Sequence, residues 1–288
     1  MDRPRVIAIT GANGFIGSHL VEYFLAMGWQ VRALMRTDRL EPRPGLTSHP
    51  FDLASPNHFP DLSGCDVLIH WAYVKKQNDD HAGNINLDGT RQLHELAKRN
   101  GVKKFIFLSS LSAHEQAVSE YGKTKLAIEN MLDPQTDLIL KPGLVLGHGG
   151  LFGSLLRMVR TLPILPLVDG GNQILQAIDI EDLCACMNAA IEKNVSGNYV
   201  LIADADFTLR DMAETIRKRL KRNMLFLSLP YGLVEFGFRI AETLHIPLPV
   251  NKENLLGLKQ NIRWEAGEPL RVFGVKPRSY AETIERLV

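Results

Sequence analysis

Cysteine is scarce in this chain. Its 288 residues include three, Cys65, Cys184 and Cys186. An odd, sparse count argues against a disulfide framework and points to a reducing, cytoplasmic compartment. Cys184 and Cys186 stand two apart in a predicted helix and so point to different faces. No His or Cys cluster completes a metal site, and none is expected. Charge of one sign is also lacking: 33 Lys plus Arg against 32 Asp plus Glu leave a formal charge of +1. That balance argues against a nucleic-acid partner, which needs a basic excess. No apolar run reaches the roughly 18 residues of a membrane span, so no transmembrane segment is expected. The nearest, "LFLSLPYGLVEFGF" (225–238), is interrupted by Pro230 and two glycines. It reads as a buried loop and helix of a substrate-binding part, with a membrane-surface helix as the other reading. The opening "MDRPRVIAIT" is too short in its apolar run for a signal peptide and lacks a small-residue cleavage site.

What is present is a 45% hydrophobic chain, enough for one large α/β domain with a smaller appendage. Short β-branched runs alternate with helical patterns. Strands are predicted at 5–10, 30–35, 66–72, 103–110 and 137–143, and helices at 15–28, 85–101 and 121–132. Gly28 and Gly101 end two of the helices. The run "DVLIHWA" (66–72) is apolar throughout, as in a strand buried on both faces. This βαβα alternation predicts a Rossmann-type doubly wound parallel sheet with helices on both faces. Residues 1–150 form the dinucleotide-binding part, whose sheet also receives a strand from 172–202. After about 150, Pro163, Pro166, Pro230, Pro247 and Pro249 break the chain into shorter pieces. Residues 151–288 are read mostly as a smaller, mixed substrate-binding part, with strand-to-helix at 177–193 and a helix at 208–220.

The segment "ITGANGFIGSHL" (9–20) carries three glycines three apart, between the first strand and the first helix. Gly11 permits the tight turn, Gly14 lets the backbone approach a pyrophosphate, and Gly17 allows close packing of the helix. The helix N-terminus offers unpaired N–H groups and its positive dipole end to the anion. The GK[ST] of a triphosphate loop is missing.

The segment "TGANGFIGSHL" resembles the cofactor loop of extended and atypical short-chain dehydrogenase/reductases, the group that includes NAD-dependent epimerases/dehydratases. "FDLASP", "DVLIHWAY" (against the family's "DVVIHLAA"), "NINLDGTRQLHELAKRNGVKKFIFLSS", "YGKTKLAIE" and "LKPGLVLG" match further motifs in the family's order. The resemblance is dense over 5–150 and looser through "AIDIEDL" and "FGVKPRSYAETI". It implies that Gly11, Asn13, Gly14, Phe15, Ile16 and Gly17 hold the dinucleotide, that Asp52 and Leu53 border the adenine, and that Ala72, Tyr121, Lys125 and Pro142 line the rest of the cofactor. Asn86 matches the asparagine that supports the active-site helix; a helix cap is its other reading. The resemblance also admits a homodimer through helices such as 86–100 and 121–132.

The end of the second strand meets the adenosine ribose. A carboxylate there suits the 2′-OH of NAD, and an arginine suits the 2′-phosphate of NADP. Here the strand ends "ALMRTDR": Met35 stands where NAD users have Asp, and Arg36 follows. NADP is therefore expected, with NAD as the other cofactor should Asp38 bind the ribose diol.

Tyr121 and Lys125 are four apart on a predicted helix and share a face. A free phenol, with a pKa of about 10, is a poor acid–base group near neutrality, and a neighbouring ammonium lowers that value. Tyr121 is thus the proton donor or acceptor and Lys125 its partner, which in the family also binds the nicotinamide ribose. Ser110 aligns with the family's substrate-holding serine, and Ser112 is the alternative. His70 reads as a packed, hydrogen-bonded histidine. Three departures bear on the substrate. Ser110 is followed by Leu111 and Ser112 rather than an Asp–Glu pair, which disfavours a dehydratase. "AHE" replaces the family's "VYG", and "LKPGLVLGHGG" replaces "LRxxNVYGP", which removes support for a nucleotide sugar. The expectation is a reductase or epimerase that moves hydride at a carbonyl or carbinol carbon of a small molecule. The alternative is an NADPH-binding sensor or assembly protein without turnover, like complex I accessory-subunit relatives.

Overall fold

The computed structural model describes residues 3–36, 40–55, 59–75, 82–203, 206–235, 262–265 and 268–288. Asp38, Pro247, Pro249 and the end of the 225–238 run lie outside the described residues.

Apart from β3, the first half alternates as its apolar runs predict. It runs β1 (Val6–Thr10), α1 (Phe15–Ala26), β2 (Gln30–Met35), β3 (Leu46–Pro50), β4 (Val67–His70), α2 (Ala82–Arg99), β5 (Lys104–Leu108), α3 (Glu120–Met131) and β6 (Leu138–Pro142). The second half runs β7 (Leu144–Leu146), α4 (Gly150–Thr161), β8 (Ile164–Val168), β9 (Ile174–Leu175), β10 (Ala177–Asp179), α5 (Ile180–Glu192), β11 (Gly197–Leu201), β12 (Phe207–Thr208), α6 (Leu209–Arg219), β13 (Leu225–Leu229), α7 (Glu268–Phe273) and α8 (Tyr280–Leu287).

Seven strands form one parallel sheet in the order β11-β6-β5-β4-β1-β2-β3. This is the Rossmann-type architecture expected from the alternation. The strand order reverses between β1 and β4, which opens a crevice at their C-terminal ends. Central strands β4, β5 and β6 are buried along their whole length, as two-sided burial requires. Edge strand β3 is only partly buried and has no apolar run to announce it.

Two cores flank the sheet. On one face Ile16, Leu20 and Phe24 of α1 pack with Leu183, Cys186 and Met187 of α5 and with Phe273 of α7. On the other, Leu93 and Ala97 of α2 and Ile128 of α3 pack on Leu68, Phe105 and Phe107. Helices α1 and α2 close as predicted. Gly28 (φ +80°) and Gly101 (φ +72°) take the left-handed position past each last turn. A third core joins Phe152, Leu156, Leu165, Leu167, Ile216 and Ile284 in the later chain. Residue 150 is not a clean divide: β11 pairs with β6, and α5 and Phe273 belong to the nucleotide-sheet core.

In the run at 225–238 the expected helix is present over the described residues 231–235, but a strand stands where the buried loop was expected. Residues 225–229 form strand β13, parallel to β8, and Leu225 and Leu227 are exposed. Tertiary pairing with β8 overrides the local pattern. The three cysteines are free and buried, and burial pushes the Cys184 and Cys186 thiols up to about 12, which keeps them unreactive. No helix among the described residues is long and apolar enough to cross a membrane.

Candidate active site

The crevice at the strand ends is built from β1 outward. Gly11 turns the chain out of β1 at φ +67°, with its N–H on the Leu34 carbonyl at 2.9 Å. A Cβ at Gly17 would lie 2.1 Å from the Gly11 carbonyl oxygen and 2.8 Å from Ala12 Cα. Only hydrogen fits there, so α1 begins against the strand end. A Cβ at Gly14 would meet nothing but the Gly11 oxygen, at 3.2 Å. Gly14 is the N-cap of α1, no side chain caps it, and the first turn has no acidic residue. An uncapped N-terminus with space in front of it fits a pyrophosphate.

The other sequence-predicted residues fall at successive strand ends. Asn13 is exposed in the loop. Phe15 and Ile16 turn their side chains away from the cradle. Ile16 is in the core, and the Phe15 ring is enclosed by Gly147, Gly149 and Gly150, where Cβ atoms would lie 2.7, 2.3 and 3.2 Å from it. Only their backbone can serve a ligand at the loop. Arg36 follows β2 and is exposed. Asp52 follows β3, where its carboxylate accepts the Ala54 N–H at 3.0 Å. Leu53 is buried beneath α2, so close that a Cβ on Gly89 would sit 2.7 Å from its carbonyl oxygen. Pro142 is the buried last residue of β6.

Ala72 is held by Thr10, the residue that opens the glycine-loop segment. The Thr10 hydroxyl oxygen accepts the Trp71 and Ala72 N–H groups at 2.9 and 3.0 Å. Its own proton is then free for His70 Nδ1 at 2.8 Å. His70 Nε2 meets the Thr90 hydroxyl at 2.9 Å, and Thr90 donates to the Asn86 carbonyl at 2.6 Å. The consistent tautomer carries its proton on Nε2. Full burial and the nearby Lys125 push His70 down to about 3, so it stays neutral. His70 therefore bridges β1 and α2. Asn86 is not a cap but a clamp inside α2: its amide oxygen accepts the Val74 N–H at 2.7 Å and its amide nitrogen donates to the Val74 carbonyl at 3.0 Å.

This clamp positions Trp71 and Tyr73 beside α3. The Tyr73 and Tyr121 rings meet edge to face with centroids 4.9 Å apart. Ser119 caps α3, accepting the Gly122 N–H at 3.0 Å. Ser110, just past β5, is bonded to Tyr121 through the two side chains, and its hydroxyl accepts the Ser112 N–H at 3.2 Å. Between the two serine alternatives, it is Ser110 that meets Tyr121. Burial pushes the Tyr121 phenol above its ordinary range, the Ser110 bond opposes this, and Tyr73 adds to it.

Lys125 is buried one turn along α3 and donates to the Leu108 carbonyl at 2.8 Å. Its Nζ lies 4.5 Å from the Phe107 ring centroid, 5.1 Å from Trp71, 5.6 Å from Tyr73 and 5.8 Å from Tyr121, within cation–π range of all four. Burial pulls its pKa down to about 7, against a smaller opposing pull from Glu129. Trp71 and Tyr73 escaped the sequence reading as site residues. Their signal was the difference between "WAY" and the family's "LAA". Also unforeseen was a buried pair one turn further: Glu129 accepts from Lys141 at 3.0 Å and from the Ser109 hydroxyl. Lys141 also donates to the Ala113 carbonyl at 2.5 Å, which ties β6 to the loop after Ser110. A separate small cleft beside Arg278, Phe207 and Tyr280 contains none of these groups.

Residues 7–203 match the model of the NAD dependent epimerase/dehydratase family. A ceramide reductase from Caulobacter vibrioides is 33% identical over 217 residues, spanning 68% of this chain and 64% of that protein. A UDP-glucose 4-epimerase from Vibrio cholerae is 24% identical over 88% of this chain and 90% of that protein. In the solved complex of UDP-glucose 4-epimerase from Thermus thermophilus with NAD, the fold matches with a TM-score of 0.64 at 21% identity, covering 78% of this chain and 86% of that one. The glycine cradle, the parallel sheet and the family match converge: this chain belongs to the NAD dependent epimerase/dehydratase family, whose enzymes work with a nicotinamide dinucleotide.

Proposed function

We propose that the protein is an NADP(H)-dependent reductase that moves hydride to a carbonyl carbon, or takes it from the matching carbinol, at a Ser110–Tyr121–Lys125 site. The carrying observation is the side-chain bond between Ser110 and Tyr121 with the buried Lys125 one turn along the same helix face. The bound nicotinamide supplies or accepts the hydride. The backbone of Gly11–Gly17 would hold its pyrophosphate, Arg36 the 2′-phosphate, and Lys125 the nicotinamide ribose.

The chain's own groups handle the proton. Tyr121, neutral in its buried setting, donates its proton to the substrate oxygen while the Ser110 hydroxyl steadies that oxygen. The resulting phenolate is stabilised by Ser110 and by the Lys125 ammonium. The rings of Trp71 and Tyr73 flank this centre. The name of the Caulobacter relative, and the missing "NVYGP" and Asp–Glu motifs, favour a reductase over an epimerase or dehydratase. A cytoplasmic setting agrees with three buried free thiols.

One set of measurements tests both ends of the site. NADPH and NADH are titrated into the wild type and Arg36→Ala by calorimetry, and NADPH oxidation is followed on a panel of ketones and aldehydes. NADPH should bind more tightly than NADH, and Arg36→Ala should erase that preference. Tyr121→Phe should lose about 10²–10⁴-fold in kcat with unchanged NADPH affinity. Tighter NADH binding would remove the NADP assignment. Undiminished turnover in Tyr121→Phe would remove the mechanism.

A further inference from the structure

Strands β8 and β13 make a two-stranded parallel ribbon that lies apart from the main sheet. Its inner positions, Leu165 and Leu167, are buried in the third core. Its outer positions are apolar as well. In register, Leu225 stands beside Ile164 and Leu227 beside Pro166. Leu225 is 69% exposed, Leu227 49% and Ile164 46%, with Leu162 and Leu233 nearby in sequence at 37% and 57%. An outward row of Leu and Ile is not what a solvent-facing strand carries, and contiguous exposed apolar groups mark an interaction surface.

The charge around this ribbon is mainly basic, with Asp169, Glu214 and Glu235 just outside the two segments that carry it. Residues 151–168 and 215–234 contain seven cations, Arg157, Arg160, Arg217, Lys218, Arg219, Lys221 and Arg222, and no carboxylate. The ends of α4 and α6 turn into β8 and β13 side by side, with the Leu225 N–H on the Pro163 carbonyl at 3.0 Å. The two turns thus carry their exposed cations to one rim; Arg217 instead lies over the partly buried Phe226 ring, 5.5 Å from its centroid. Lys218 and Arg219 have distant carboxylate partners, at 3.8 and 3.7 Å. Arg157, Arg160, Lys221 and Arg222 are exposed, with no ion-pair partner among the described residues. Lys221 takes φ +50° just past α6, a left-handed position where glycine is the unstrained choice. The chain keeps a cation there despite the strain.

We propose that this face docks on the surface of an anionic lipid bilayer, its leucines entering the headgroup boundary and its cations meeting lipid phosphates. Charge and size favour a bilayer over a second copy of the chain. A two-fold contact through the ribbon would set the same basic rims close together. Two five-residue strands also offer only about 17 Å by 10 Å, far below the ~800 Å² per partner of a stable dimer. An anionic surface complements the rim and is unlimited in extent.

The test is co-sedimentation of the full chain with vesicles, read as binding and independent of turnover. Vesicles of phosphatidylcholine with phosphatidylglycerol are compared with phosphatidylcholine alone. The wild type should bind the anionic vesicles and lose that binding at high salt. The double variant Lys221→Gly with Arg222→Gln should bind about thirtyfold more weakly. Lys221→Gly relieves the backbone, so this variant stays folded, and an unchanged melting curve confirms that it has. Leu225→Ser should weaken binding independently of charge. No binding to anionic vesicles overturns the proposal, as does equal binding to neutral vesicles. A concentration-dependent dimer that Leu225→Ser dissociates, without vesicle binding, also overturns it and assigns the face to a second copy.

Discussion

Burial sets the charge of Lys125 against the stability of the fold. The Lys125 pKa is held near 7 by burial, against the usual 10.5. Between those two values the unfolded chain binds more protons than the folded one, so stability rises with pH across that window. Below pH 7 both states are protonated and the buried ammonium costs its full penalty. Lys125→Met is therefore expected to raise the melting temperature near pH 6 by about 2–4 °C for each kcal/mol relieved, and the gain should shrink toward pH 10. Melting curves at the two pH values check this. A lower Tm at pH 6 would mean that the Leu108 carbonyl and the four rings outweigh desolvation. The Tyr121–Lys125 spacing was legible in the sequence because four residues along a helix share a face. The ring cage around Lys125 was not, because Trp71, Tyr73 and Phe107 arrive from two other strand ends.

At the scale of elements, the loop between β1 and α1 separates two glycine roles that look alike in sequence. Gly17 has no room for a Cβ, and the obstacle is the backbone of Gly11 and Ala12. Gly14 faces open space beyond one contact. Gly17→Ala is expected to cost about 1–3 kcal/mol by overpacking, seen as a Tm fall of several degrees. Gly14→Ala should leave Tm nearly unchanged and weaken NADPH binding by calorimetry. Equal Tm losses for both would refute the distinction. The strands that carry this loop were readable because burial on both faces needs unbroken apolar runs, as in "DVLIHWA". Strand β3 was unplaced because an edge strand is buried on one side at most. Strand β13 was misread because its pairing with β8, some sixty residues earlier, leaves no local trace.

Over the whole molecule, the chain's end is tied back to the nucleotide sheet by charge. Arg278 donates to Asp182 at 2.6 Å from both its backbone and side chain, and meets Glu181 at 2.9 Å. Arg286 of α8 meets the fully buried Asp179 at 2.6 Å. Asp179 caps α5, and α5 packs on α1 behind the glycine loop. Arg278→Ala would leave Asp182 buried beside Asp179 without its partner. Because Arg278 is itself 37% exposed, the expected loss is about 1–2 kcal/mol, read as a lower chemical-denaturation midpoint. An unchanged midpoint would show the cluster to be solvent-screened.

The sequence by itself determined the parallel sheet, the dinucleotide loop, and the Tyr121–Lys125 pair. Each depends on contacts a few residues apart or on burial patterns that repeat along one strand or helix. Only the tertiary structure decided that Ser110 rather than Ser112 meets Tyr121, that His70 is a neutral brace, and that Phe15 fills a pocket of glycines. It also decided that an apolar ribbon faces outward beside a basic rim. Those outcomes depend on which strand ends stand side by side, and chain closure over scores of residues leaves no periodic mark in a linear sequence.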